Sequence, residues 1–136
     1  MGLFTSRRQV MEDVPVVPVV APHMSVDGWT LAGTPLGARI RPGDQRELAT
    51  LLHGVSIGVD TPYTYERACD VLDRIGEVEQ ALAVCESWLS HPASERPTSA
   101  TTTRLLTKRR ARLQAKVVEV RQSSPAKTPA PRAAPG

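Results

Sequence analysis

Between Pro62 and Leu89 apolar and polar residues recur in steps of three and four. Tyr65, Ala68, Cys69, Leu72 and Ile75 fall on one stripe of a helix. Asp60, Thr61 and Pro62 form its start, because a short acceptor side chain caps free amides and proline needs no donor in the first turn. Gly76 is its stop, as a residue that takes the left-handed conformation at little cost. Val78, Ala81, Leu82, Cys85, Trp88 and Leu89 repeat the spacing, with Glu79, Gln80, Ala83, Glu86 and Ser87 on the opposite face and Pro92 beyond. Glu77 and Glu79 complement the dipole of the second helix at its start. The pattern predicts an antiparallel helical hairpin, with helices near 62–75 and 77–90.

A lone hairpin cannot offset the entropy of ordering its residues, so other segments must cover its apolar stripe. Asp44 to His53 offers Leu48, Leu51 and Leu52 behind Pro42 and Gly43, and ends at Gly54, predicting a helix over 44–53. After the run of serine and threonines that begins at Ser99, residues Leu105, Leu106, Leu113, Val117, Val118 and Val120 predict a helix over 99–121. The expected fold is mainly α: a small four-helix bundle built on the hairpin, spanning 43–121.

Thr64 to Pro92 resembles a single tetratricopeptide repeat. Tyr65 and Leu72 stand where that family favours large residues on its first helix, and Gly76 at its inter-helix turn. Ala81 falls at the small position of the second helix, Cys85 at a large apolar one and Pro92 near the terminating proline. Ala68, Cys69 and Trp88 depart from the pattern, and Trp88, at a normally small position, should force a local rearrangement. No second copy follows at the 34-residue offset typical of the family. The resemblance implies a non-catalytic adaptor that binds a protein partner or itself. Tyr65, Leu72, Leu82 and Trp88 are then expected to support a groove or dimer seam, being more apolar surface than a hairpin buries alone.

Residues 1–42 read as an extended or partly irregular arm. Val14 to Val20 is β-branched, but Pro15 and Pro18 remove two ladder donors, leaving an edge strand or an extended segment. Met24 to Ala32 carries an Asp27-Gly28 turn signal, so a small β-hairpin anchored by Trp29 is expected. Residues 122–136, rich in Pro, Ala and Ser without a large apolar side chain, read as a disordered tail.

Charge is segregated. From Arg104 onward the chain carries +8, and the remainder −5. Two arrangements compete. In one, the basic helix lies against the acidic hairpin, where Glu66, Asp70, Asp73, Glu77, Glu79 and Glu86 balance it. In the other, Lys108, Arg109, Arg110 and Arg112 face outward and contact nucleic-acid phosphates. The basic stretch has no aromatic residue for base stacking.

Cys69 and Cys85 lie on facing stripes and read as buried core thiols in a reducing, cytoplasmic compartment, with a disulfide the alternative state. His23, His53 and His91 lack metal-ligand spacing with either cysteine. Neither a paired-carboxylate site, a nucleophile with its base nor a phosphate loop is present, so no enzyme activity and no cofactor or metal are expected. The apolar run at Val14 is too short to span a bilayer, and the Met-Gly-x-x-x-Ser start fits only the short pattern for myristoylation, so membrane contact is not expected. Fourteen arginines against three lysines indicate a GC-rich coding bias, and a small structural or regulatory protein of a bacterium or phage is a further class.

Overall fold

The computed structural model describes residues 15–123. A short antiparallel pair, β1 (His23–Ser25) and β2 (Gly28–Thr30), precedes five helices: α1 (Pro35–Arg39), α2 (Pro42–Ser56), α3 (Pro62–Arg74), α4 (Val78–Leu89) and α5 (Ala100–Ser123). Two 3-10 turns, Pro92–Glu95 and Pro97–Ser99, join α4 to α5. The mainly α class and the four longer helices stand as the periodicity predicts. The myristoylation pattern, Val14 and all of the tail beyond Ser123 lie outside the described residues.

α4 occupies the centre, packed between α3 and α5. Gln80 through Cys85 are buried without interruption, and Trp88 follows. Of the polar face expected at Glu79, Gln80, Ala83, Glu86 and Ser87, Gln80 and Ala83 are buried by neighbouring segments, while Glu79, Glu86 and Ser87 remain partly exposed at its edge. Gly76 closes α3 with φ +84°. The Gly76 N–H donates to the Asp73 carbonyl and the Glu77 N–H to that of Leu72, the two bonds of a Schellman motif.

The same motif ends α2, but not at the glycine the sequence indicates. α2 runs through Gly54 to Ser56, and Gly58 takes the left-handed turn at φ +74°. The Gly58 and Val59 N–H groups donate to Val55 and Gly54 respectively. Gly54 is a packing residue: a Cβ there would lie 3.1 Å from Thr64 Cγ2 on α3.

Residues 23–40 are built into the fold: the small β-hairpin expected within the arm forms, and α1 stands where irregular chain was expected up to residue 42. Ser25 pairs with Gly28, so the hairpin loop is Val26-Asp27 and Gly28 opens β2 at φ +115°. Trp29 anchors it, stacked on His53 of α2 with ring centroids 3.6 Å apart. Leu31 and Leu36 enter the core. Thr34 Oγ1 caps α1 by accepting from the Gly37 N–H at 3.0 Å. A Cβ on Gly37 would fall 2.1 Å from the Leu31 carbonyl oxygen, so α1 sits against this backbone only because that residue has no side chain. Five residues are too few for a helical period to register.

Candidate functional site

Tyr65, Leu72, Leu82 and Trp88 are all at most 1% exposed. The expectation that they support an open groove or dimer seam is therefore corrected: α5 covers the stripe that the hairpin alone leaves bare. Trp88 is accommodated by a polar seam. Its Nε1 donates to Thr103 Oγ1 of α5 at 3.0 Å, and Thr103 donates onward to the Ser94 carbonyl at 2.7 Å. Tyr65 packs tilted against the indole, and its hydroxyl donates to the Val59 carbonyl at 2.6 Å. His91 stacks on the indole with ring centroids 5.8 Å apart and meets the Tyr65 ring edge-on at 6.0 Å. Its Nδ1 accepts from the Ala93 N–H, which leaves the ring proton on Nε2 to donate to the Gly58 carbonyl at 3.0 Å.

The basic helix lies against the acidic hairpin, the first of the two expected arrangements. Arg110 Nε meets Glu86 at 2.7 Å, Arg112 Nη2 meets Asp73 at 2.8 Å, and Arg109 Nη2 stands 3.8 Å from Asp70. The Arg112 guanidinium holds the Asp73 carboxyl below its ordinary range, against the opposing effect of burial. Of the four residues expected to face phosphates, Lys108 alone is exposed without an ion pair among the described residues.

Inward, α5 presents Thr102, Leu106, Leu113 and Val117. Helical spacing asks for one more apolar residue between Leu106 and Leu113, and Arg109 stands there. Its Nη1 is buried without a hydrogen-bond partner. Opposite it are two free thiols, Cys69 of α3 and Cys85 of α4, fully buried with their sulfurs 3.4 Å apart. Cys69 Sγ also lies 3.7 Å from the Ala81 carbonyl. The Cys69 thiol is held below its usual pKa, first by the hydrogen bond from Cys85 and further by Arg109, against burial. Cys85 is pushed up, as the donor of that bond and a desolvated group.

A second feature lies where the arm crosses α4. Residues 15–22 carry no helix or strand, so of the edge strand and the extended segment expected here the edge strand does not form. The Gln80 carboxamide clasps their backbone: Oε1 accepts from the Val20 N–H at 2.9 Å and Nε2 donates to the Pro18 carbonyl at 2.8 Å. Arg121 of α5 holds Glu79 through two bonds and donates to the Pro15 carbonyl at 2.9 Å. Val19 and Val20 rest on the core, and a groove lined by Val17, Pro18, Val78, Gln80 and Val120 continues beside them.

Sequence reasoning missed the Gln80 clasp and the Arg121 contact with Pro15, since each addresses a backbone that carries no residue-type signal. The unbroken apolar run Ala81 to Cys85 was the available hint, because a helix covered on more than one face leaves the adjoining Gln80 an interior amide that needs partners. Among the described residues no cluster of three metal-ligating side chains occurs, and no helix is long and apolar enough to cross a membrane. Compared with known proteins, the chain matches no family model, no curated protein and no solved structure.

Proposed function

We propose that this chain is a non-catalytic adaptor of the helical-repeat type, which holds an irregular, proline-containing peptide segment across α4 and the end of α5. The observation that carries the reading is the Gln80 clasp. One buried amide satisfies a carbonyl and an N–H two residues apart, leaving the neighbouring valines to pack on the helices. Such contacts read backbone and apolar bulk, as in peptide recognition by main-chain hydrogen bonding. The chain's own residues 15–22 fill the place in cis, and a segment of the same chemistry from a protein partner or a second copy competes for it. Free thiols at Cys69 and Cys85 fit a cytoplasmic protein.

The test uses the full chain. Val19→Asp with Val20→Asp loosens the resident arm, which otherwise competes at an effective concentration on the order of millimolar. The loosened protein, shown by circular dichroism to keep its helices, is expected to bind a labelled peptide of the native 15–22 sequence saturably. Adding Gln80→Ala should abolish that binding. A folded, loosened protein that gives no saturable anisotropy change overturns the reading.

A further inference from the structure

We infer that Cys69 and Cys85 form a peroxide-oxidisable dithiol site, with Arg109 as the residue that positions charge at Cys69 and closes the site from solvent.

Two independent features converge, the facing sulfurs and the buried guanidinium of Arg109. The sulfurs already face each other at 3.4 Å across the α3–α4 seam, about 1.4 Å from bonding distance. A cation occupies the core-facing position of α5 between Leu106 and Leu113, at the level where periodicity calls for an apolar side chain. That cation leaves Nη1 buried with no partner, a cost that a purely structural site has no reason to retain. Asp70 meets Nη2 at the surface edge, and a thiolate at Cys69 supplies a second, buried negative charge on the core side of the guanidinium. The lowered pKa of Cys69 and raised pKa of Cys85 agree with this division of roles. Arg109 also reaches the surface, where it borders grooves lined by Tyr63, Asp70 and Leu105 on one side and by Lys108 and Arg112 on the other. Swinging it aside opens a path for an oxidant as small as hydrogen peroxide.

The chemistry closes without a further reactant. The Cys69 thiolate attacks one oxygen of hydrogen peroxide, the O–O bond breaks, and hydroxide leaves with the electron pair, giving a sulfenic acid at Cys69. Cys85 gives its proton to that hydroxide and attacks the Cys69 sulfur. The S–O bond breaks, and the departing hydroxide takes up a proton as water. In sum, one peroxide becomes two waters and two thiols become one disulfide that ties α3 to α4. Cys69 is the attacking residue because the Arg109 guanidinium that closes the site stands against it, and Cys85 the resolving one.

The experiment treats the reduced full chain with hydrogen peroxide, quenches it, and alkylates under denaturing conditions before intact-mass analysis. The expected product is a monomer lighter by two hydrogen atoms and carrying no alkyl group, which melts at a higher temperature than the reduced chain. Cys85→Ser should stop at a Cys69 sulfenic acid trapped by dimedone. Arg109→Met, which keeps the stem and removes the charge, should slow oxidation and move its pH profile upward, whereas a merely structural role moves melting alone. Two alkyl groups after peroxide treatment overturn the inference. So does linkage only between chains, or linkage no faster in folded protein than in urea.

Discussion

The α4–α5 seam and the α4–arm contact lie on the same central helix but are made differently. α5 meets α4 and α3 through interlocking side chains: Leu106, Leu113 and Val117 fill the core, Thr103 satisfies Trp88, and arginines meet Glu86, Asp73 and Glu79 around the edge. The arm meets α4 mainly through its backbone, which one amide and one guanidinium hold. Side-chain packing makes a contact specific and strong, because each residue contributes area and shape. Backbone contact leaves the strand of chain interchangeable, which is the property the proposed adaptor needs.

The largest expected difference between the two regions comes from Trp88→Ala. Truncating a fully buried indole leaves a cavity among Tyr65, His91 and α5, and strands the Thr103 hydroxyl that accepts from it. Urea denaturation should show a loss of about 3 to 5 kcal/mol, a large part of the stability of a domain this size. A loss under about 1 kcal/mol would mean that α5 does not seal the hairpin as described.

A smaller effect follows at the arm. Gln80→Leu keeps the volume and removes both hydrogen bonds to Pro18 and Val20, each worth about 1 kcal/mol net. Because the freed backbone can turn to water, global unfolding should move little. Amide exchange at Val20 should rise while the amides of α3 and α4 keep their protection. If protection falls uniformly, the arm belongs to the core and the contrast between the regions disappears.

The same contrast explains what was legible in the sequence. The three- and four-residue rhythm exposed α3, α4 and α5, since an apolar stripe records which face is covered even when the covering element is unknown. It did not record by what, so Tyr65, Leu72, Leu82 and Trp88 read as surplus surface until α5 is seen lying on them. Glycine readings depended on context: Gly76 stops α3 as expected, while Gly54 continues α2 and Gly58 stops it. A glycine followed by an apolar residue is ambiguous until the close approach of Thr64 is known. The hairpin turn slipped one residue to Val26-Asp27, because Gly28 opens the strand rather than sitting in the loop. Arg109 was read as one of a basic cluster, though its place in the helical phase puts it on the buried side of α5. The partners of Gln80 at Pro18 and Val20, and the contact of Arg121 with Pro15, were not legible, being main-chain atoms that every residue possesses.

The weakest effect expected at the α5 seam is electrostatic, and it separates the polar edge from the apolar centre. Arg112 donates to Asp73 at 2.8 Å and depresses its pKa. A carboxylate whose folded pKa lies below its unfolded value of about 3.9 stabilises the fold above that value. The contribution disappears as pH falls through the lower, folded pKa, where both states are protonated. With Arg112 half exposed, solvent screening limits the pair to about 1 kcal/mol or less. Asp73→Asn should therefore lower the urea midpoint slightly near neutral pH, and its gap to the native chain should narrow progressively below about pH 4. The gap should also shrink in high salt at neutral pH. A constant gap across pH and salt would assign the loss to packing of the Asp73 side chain, and would make the edge of the seam as much a matter of shape as its centre.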